Sequence, residues 1–235
     1  MTMIINPYAF GPPAVTDPFW ANVSALLHFD GADGSTVFID QTARSWAAGG
    51  NAQIDTALSK FGGASGLFDG SGDYVYSNDS PLLDFGTGDF TAECFAYLQV
   101  NNTLQYIFSR YSGSGSLGGF AMAVNASGKL MLVHQGVAFL TAGATTLPTG
   151  AWVHLAIARA SGVVKLFVDG VEDASASSST DFTAGIPTNS YIGVNYDGAT
   201  FSQALNGNMD EFRITKGVAR YTATFTPPAA PFPNS

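Results

Sequence analysis

The chain has 235 residues and a net charge of −9, and only 11% of its residues are charged, against roughly 25% in typical soluble domains. Its nine Lys and Arg residues are few and scattered, so they cannot neutralise a phosphate backbone, and nucleic acid is excluded as an expected partner. Hydrophobic residues reach 46% and aromatic residues 13%, which is ample material for the interface between two β-sheets. We therefore expect one large all-β domain.

The first twenty residues are rich in proline and aromatic side chains and show no helix or strand periodicity. This pattern predicts an extended N-terminal arm over residues 1–20. The start has no basic segment of the kind that opens a secretory signal, and no apolar stretch approaches the ~18 residues of a membrane span. We therefore expect no membrane partner.

From residue 26 onward, short segments rich in Val, Leu, Ile, Phe and Tyr alternate with clusters of Gly, Asp, Asn and Ser, a pattern typical of strands and turns. The Asp169-Gly170 pair predicts a two-residue hairpin turn, because such a turn needs positive φ at both positions. Branched residues alternate along the segment 152–159, which places Val153, Leu155 and Ile157 on the core face of a strand.

A second hairpin is expected between residues 120–124 and 129–133. Near the end, residues 209–214 predict a strand and residues 216–221 one short helical turn. The Pro-rich residues 222–235 predict an extended C-terminal tail. Together these signals predict a jelly roll over residues 21–221, a two-sheet antiparallel β-sandwich of about a dozen strands with almost no helix.

Six segments resemble the laminin-G-like branch of the concanavalin A-like lectin and glucanase jelly rolls. In chain order they are LLHFDG at 26–31, KFGGASGLFDGSGDY at 60–74, FGTGDFTAE at 85–93, WVH at 152–154, LFVDG at 166–170 and DEFR at 210–213. The ending TKGVARY at 215–221, followed by FTPP, is most similar to copies found in bacteriophage structural proteins. The resemblance covers about residues 26–220 and implies the fold far more specifically than the function, because this fold hosts lectins, glycosidases, adhesion modules and virion proteins.

The catalytic pattern of related glucanases is missing from the sequence. Those enzymes place two carboxylates at alternating positions of one strand, so that both face the same sugar. The nearest candidates, Asp210 and Glu211, are adjacent and are expected to point to opposite faces of the sheet. The histidines His28, His134 and His154 lie in separate segments without the spacing of a zinc site. We therefore expect no catalytic residues and no enzymatic activity.

The resemblance implies a Ca²⁺ site, because many members of the family hold one. The segment DGADG at 30–34 offers hard oxygen ligands in a tight turn, with Asp30 as the first candidate. The first and last strands of such folds are usually neighbours, which would bring Asp210 close to Asp30, with the carbonyl of Gly31 as a third ligand. The alternative is that Asp-Gly only makes a turn and Asp210 caps a loop.

Aromatic side chains could stack on sugar rings if several of them share one end of the sandwich. The candidates are Tyr106, Tyr111, Phe139, Tyr191, Tyr196 and Phe201. Packing within the core or between subunits is the alternative role for these residues.

Two functions follow from these features. The first is a non-enzymatic structural protein of a bacteriophage virion, decorating the capsid or belonging to the tail, oligomeric or bound in a lattice, and held by its arm and tail against other virion proteins. The alternative is a carbohydrate-binding module that attaches a particle to host glycans. A glycan-binding assay separates the two.

Overall fold

The computed structural model describes residues 16–78, 81–110, 118–135, 137–184, 189–196 and 199–235. In chain order its strands are β1 Val23–Leu27, β2 Ala47–Gly49, β3 Gln53–Asp55, β4 Ser65–Asp69, β5 Tyr74–Ser77, β6 Phe90–Leu98, β7 Gln105–Arg110, β8 Gly118–Val124, β9 Lys129–Gln135, β10 Val137–Thr146, β11 Trp152–Ala160, β12 Val163–Val168, β13 Val171–Ser177, β14 Ser190–Ile192, β15 Asn195–Tyr196, β16 Phe201–Ser202 and β17 Asn206–Lys216. The helical parts of this described chain are two short 3₁₀ turns, Trp20–Asn22 and Pro81–Leu83. None of its helices is long and apolar enough to cross a membrane.

The strands form two large antiparallel sheets packed face to face. The first sheet has the order β13-β12-β11-β6-β17-β4-β3, with β1 also paired to β17. The second sheet has the order β10-β9-β8-β7-β14-β5-β2, and β15 and β16 form a separate small hairpin. This arrangement confirms the predicted all-β sandwich of the jelly-roll type.

The core lies between the two sheets and is filled mainly by aliphatic and phenylalanine side chains. Strand β11 contributes Val153, Leu155 and Ile157 to it, as their alternation predicts. Phe212 of β17 meets Phe108 of β7 across the interface, with ring centroids 5.4 Å apart.

Both predicted hairpins are present. Strands β12 and β13 are joined at Asp169 and Gly170, whose φ angles of 46° and 76° fit the expected turn. Strands β8 and β9 pair around a turn in which Asn125 N donates to the Lys129 carbonyl. Local turn chemistry therefore determines how these neighbouring strands pair.

The outer face of the first sheet is covered by the C-terminal segment. Tyr221 and Phe225 stack on each other with centroids 3.5 Å apart, and Phe225 N donates to the Gly170 carbonyl. Phe232 is only 2% exposed and packs near Phe95 of β6. The sequence predicts a tail that docks on other subunits, whereas residues 222–235 pack on their own domain. Prolines prevent the tail from pairing as a strand, so its aromatic side chains anchor it instead.

The predicted helical turn at residues 216–221 is wrong. Thr91 of β6 donates its hydroxyl to the Val218 carbonyl and accepts a hydrogen bond from Arg220 N. These two bonds hold the backbone against the sheet, so it cannot close a helical turn.

Residues 1–15 of the predicted N-terminal arm lie outside the described residues, and residues 16–20 pack on the domain. Asp17 N donates to the Ser235 carbonyl at 2.6 Å, and the Asp17 carboxylate accepts hydrogen bonds from Arg213 and Arg220. The beginning and the end of the described chain therefore meet at one place on the outer face of the first sheet.

Candidate functional site

Five aromatic side chains gather on the outer face of the second sheet. Side chains alternate along a strand, and Val75 and Ile192 point into the core. Their neighbours on β5 and β14 therefore point outward, and the β15–β16 hairpin brings two more rings to the same place. We call this group the aromatic cluster: Tyr74, Tyr76, Tyr191, Tyr196 and Phe201.

Tyr191 is the centre of the aromatic cluster. Its ring centroid lies 5.2 Å from Tyr196, 5.5 Å from Phe201, 5.8 Å from Tyr74 and 6.2 Å from Tyr76. Tyr191 itself is nearly buried, and burial raises the pKa of its hydroxyl. The surrounding tyrosines are half-buried and Phe201 is 42% exposed, so the cluster presents ring surface to solvent.

Two local features hold the cluster in place. Tyr74 pairs across the strands with Gly49 of β2, and its ring lies where a side chain at residue 49 would stand, so only glycine fits there. In the hairpin, Asn195 Nδ2 donates to Ser202 Oγ at 3.2 Å and to Gln203 Oε1 at 2.9 Å. Gly49 thus leaves room for the Tyr74 ring, and the hydrogen bonds of Asn195 hold together the hairpin that carries Tyr196 and Phe201.

The structure brings three of the six aromatic candidates together and adds two that the sequence analysis missed. The sequence could have indicated Tyr74 and Tyr76, since they flank a core valine and alternation along a strand places both on the outer face. Tyr106 lies instead in a separate buried cluster with Met131 and Val133. Tyr111 and the side chain of Phe139 lie outside the described residues.

Asp30 and Asp210, the two predicted metal-binding carboxylates, lie against the same turn. Asp210 Oδ2 accepts hydrogen bonds from Lys60 N at 2.8 Å and Phe61 N at 3.0 Å. The Asp30 carboxylate occupies the position where a Cβ of Gly62 would lie. Burial and the charges of Glu211 and Asp30 raise the pKa of Asp210 to about 7, although the two backbone hydrogen bonds oppose this. The two carboxylates are therefore close enough to affect each other.

The expectation that Asp210 and Glu211 point to opposite faces is wrong, because a β-bulge lies between them. The register of β17 against β6 shifts between Asp210 and Arg213, and Glu211 has a φ of 53°. Met209 and Phe212 point into the core, so both acidic residues between them turn outward. Glu211 accepts a hydrogen bond from Phe232 N, and both carboxyls are buried.

His28 pairs with Glu211 at this bulge. Its Nδ1 lies 2.8 Å from Glu211 Oε1. Burial by itself lowers the pKa of His28, but the hydrogen bond and charge of Glu211 outweigh it, so the pKa is raised. Phe29, a bulky residue beside His28, has a φ of 57°. Strained backbone of this kind is common at ligand sites.

The residues around Asp30 and Asp210 fit Ca²⁺ better than a transition metal. Asp210 Oδ1 is buried and has no hydrogen-bond partner among the residues that the structure describes, as a carboxylate oxygen that binds a cation would have none. Among the described residues, no three His, Cys, Asp or Glu side chains are arranged to hold a metal. Ca²⁺ tolerates a shell completed by carbonyl and water oxygens, whereas zinc requires more side-chain ligands. Gly31, the third predicted ligand, lies beside Ile54, since a Cβ added at Gly31 would stand 3.4 Å from Ile54 Cγ1.

A second group of buried charges lies under the C-terminal segment. Glu93 accepts hydrogen bonds from Arg213 Nε at 2.9 Å and from the Tyr221 hydroxyl at 2.8 Å. Its Oε2 lies 3.2 Å from His154 Nε2. Burial alone would raise the pKa of Glu93, but Arg213 and His154 lower it to about 2. These buried contacts fasten the C-terminal segment to the sheet and offer a sugar no access.

The third histidine, His134, lies far from these groups in the second sheet. Its Nδ1 lies 2.7 Å from the Gly119 carbonyl. The three histidines thus have separate partners within the sandwich.

The two antiparallel sheets and their order define a concanavalin A-like jelly roll. Residues 69–220 match the family described as the concanavalin A-like lectin/glucanases superfamily, and the chain belongs to this family. No curated protein matches it significantly.

Several solved structures share the fold. One is domain 4 of AbnA, a GH43 extracellular arabinanase from Geobacillus stearothermophilus, in complex with arabinotriose, with a TM-score of 0.63 and 21% identity over 84% of this chain and 94% of that domain. The binding domain of Paraclostridial Mosquitocidal Protein 1 has a TM-score of 0.63 and 11% identity over 84% of this chain. The receptor binding domain of botulinum neurotoxin D has a TM-score of 0.59 and 14% identity over 86% of this chain. This chain spans 49% and 51% of the two toxin domains. At these identities the likeness concerns the fold alone.

Proposed function

We propose that this chain is a non-enzymatic carbohydrate-binding domain whose contact surface is the aromatic cluster. The observation that carries the proposal is the set of partly exposed rings around Tyr191 on the outer face of the second sheet. Sugars present faces of C–H groups that pack on aromatic rings, while their hydroxyls remain free for polar neighbours. The sugar complex of the arabinanase domain supports a carbohydrate-binding role, since that domain has the same fold.

A glycan array with purified protein tests the proposal. We expect competable binding to one class of sugar, and the variant Tyr76→Ala should lower the affinity at least about tenfold, equivalent to ~1.4 kcal/mol. Tyr97→Ala is the matched control, because Tyr97 is a half-buried tyrosine on the first sheet beside Trp152. An empty array with folded protein would overturn the proposal, as would equal losses in the two variants.

Within this function, Ca²⁺ has a structural role. Asp30 and Asp210 would hold the ion, with the Gly31 carbonyl as a third ligand. Such an ion would offset the repulsion between the two carboxylates and tie β1 to β17 where both meet the Lys60–Gly62 turn. The unpartnered Asp210 Oδ1 supports this role.

A second proposal is that the domain serves in a bacteriophage virion, in the capsid decoration or the tail, in contact with other virion proteins or further copies of itself. The similarity of residues 215–221 to phage-encoded copies supports it. So does the meeting of Asp17 with Ser235, because it fixes the chain that follows residues 1–15 at one point on the domain. Deleting residues 1–15 should abolish incorporation into particles while leaving the domain folded. Unchanged incorporation would refute a role for the arm.

A further inference from the structure

A small cavity of about 190 Å³ lies beside the aromatic cluster. It lies between the glycine-rich turn that joins β4 to β5 and the β15–β16 hairpin with the residues after it. Six of its lining residues matter here: Gly70, Gly72, Phe201, Ser202, Gln203 and Ala204. Phe201 belongs both to the cavity and to the aromatic cluster, where its ring stacks on Tyr74. A ligand on the cluster can therefore extend into the cavity at Phe201.

The size of the cavity suits one sugar residue. At ~30 Å³ for each water in the liquid, it has room for about six waters. This space accepts a single ring with its hydroxyls and is too small for a disaccharide. Gly72 lines the cavity, and a Cβ at this position would stand in open space, with no atom of the described chain within 4 Å.

Among the described residues, the lining of the cavity includes two polar side chains and no charged one. Ser202 supplies a hydroxyl and Gln203 a carboxamide, and the buried Oδ1 of the adjacent Asn195 finds no hydrogen-bond partner in the described part of the chain. Gln203 has a φ of 53°, an uncommon conformation for a residue other than glycine. Groups of this kind match the donors and acceptors of sugar hydroxyls.

Two carboxylates, those of Asp69 and Asp73, stand at the ends of the glycine-rich turn. Asp73 Oδ1 accepts from Asn51 N and Asp73 Oδ2 from Asp69 N, which fixes the turn. Asp69 in turn accepts a hydrogen bond from Asn51 Nδ2. The negative charge at this rim repels an anionic sugar, and the net charge of −9 acts in the same direction.

We propose that this cavity is a specificity subsite that takes one neutral sugar residue of a glycan whose neighbouring residue stacks on the aromatic cluster. The proposal rests on the carbohydrate-binding function proposed above. It adds to that function a substrate class and the place of the contact that determines which sugars bind. Sugars that carry a carboxylate or a sulfate are excluded.

Calorimetric titration of the full chain with arabinotriose, cellotriose, galactotriose and trigalacturonate tests the proposal. Galactotriose and trigalacturonate differ in the carboxylate at C6, so their comparison isolates charge. At least one neutral trisaccharide should bind, and trigalacturonate should bind at least about tenfold more weakly than galactotriose.

Gly72→Asn should weaken the binding of the best neutral trisaccharide at least about tenfold, because asparagine tolerates the left-handed conformation at this position and adds a side chain to the open space at the cavity wall. Gly162→Asn is the matched control, because Gly162 has a similar φ of 79° in the β11–β12 turn, with its nearest Cβ neighbour at 3.7 Å. Ala204→Val provides a second way to fill the cavity if Gly72→Asn does not fold.

The outcomes separate the two proposals. Loss of binding in Tyr76→Ala, with full affinity in both Gly72→Asn and Ala204→Val, would overturn the subsite and leave the aromatic cluster as the binding surface. Trigalacturonate binding as tightly as galactotriose would overturn the preference for neutral sugars. Failure of the wild-type chain to bind any neutral trisaccharide would overturn the carbohydrate-binding function and the subsite with it.

Discussion

Phe201 stacks on Tyr74 with ring centroids 4.3 Å apart and ring planes 18° from parallel, although the two residues lie far apart in the sequence. This contact fastens the β15–β16 hairpin to the edge of the second sheet. It also places the most exposed ring of the aromatic cluster next to the cavity.

Phe201→Ala should remove sugar binding while costing only about 1 kcal/mol of unfolding free energy, the usual contribution of an aromatic pair. The ring is 42% exposed, so its loss opens no large cavity in the core. Calorimetric titration and urea denaturation of the same sample measure the two effects. Val171→Ala, at a 58% exposed position on β13, is the control and should change neither. A stability loss above about 3 kcal/mol would show that Phe201 is a core residue instead.

Gly170→Ala should loosen the C-terminal tail. A Cβ at this position would overlap the Phe225 carbonyl and touch Pro227, whereas at Gly162 the nearest atom is 3.7 Å away. Both glycines have positive φ, so Gly162→Ala carries the same backbone cost of roughly 1–2 kcal/mol without the clash.

Urea denaturation should therefore find Gly170→Ala about 1–3 kcal/mol less stable than Gly162→Ala, the usual cost of overpacking. Limited proteolysis should cut residues 222–235 faster in Gly170→Ala. Equal stability and equal cleavage in the two variants would contradict the docking of the tail at this turn.

Glu93 should make the domain sensitive to acid. Its pKa of about 2 in the folded state lies below the ordinary value of 4.5, so the folded state binds the proton less readily than the unfolded chain. Ionised Glu93 therefore contributes about 3 kcal/mol to the free energy of unfolding. This contribution is complete above about pH 5 and is lost as the pH falls from there towards 2.

Urea denaturation of the wild type and of Glu93→Gln between pH 7 and pH 2.5 measures this effect. At pH 7 the variant should be about 3–5 kcal/mol less stable, because the buried Arg213 loses one of its two carboxylate partners and keeps only Asp17. The difference between the two proteins should shrink as the pH falls. A difference in unfolding free energy that stays constant down to pH 2.5 would show that the charge of Glu93 does not cause the stability difference between the two proteins.

Calcium should raise the melting temperature of the wild-type protein and EDTA should reverse the change. At a concentration of 100 times Kd, the gain in unfolding free energy is about 2.7 kcal/mol. Asp210→Asn should abolish the response, while Asp33→Asn should keep it, because Asp33 lies in the same segment but caps Thr56 N at an exposed position. A melting temperature that responds to neither calcium nor EDTA in the wild type would exclude the site.

Elements with short-range causes could be predicted from the sequence. The β12–β13 hairpin follows from the φ preferences of Asp169-Gly170, and the core face of β11 from the alternation of Val153, Leu155 and Ile157. In each of these elements the determining residues are neighbours in the chain, so the local pattern contains the information.

Features that depend on long-range strand pairing were harder to predict. The bulge that turns both Asp210 and Glu211 outward arises from the pairing of β17 with β6 and carries no glycine to mark it. Tyr76 meets Tyr191 only because β5 and β14 are adjacent in the second sheet. The sequence identifies Tyr191 as a candidate and misses Tyr76, because their assembly into one surface depends on the order of strands in the sheet.

The hydrogen bond between Asp17 N and the Ser235 carbonyl almost closes the described chain into a ring. Proteins whose ends meet in this way tolerate circular permutation and insertion into a loop of a host protein, because neither operation needs to stretch the fold. Residues 16–235 are therefore suited to display from a surface loop of an unrelated carrier. In such a fusion both junctions would emerge from the outer face of the first sheet, leaving the aromatic cluster on the second sheet open to solvent.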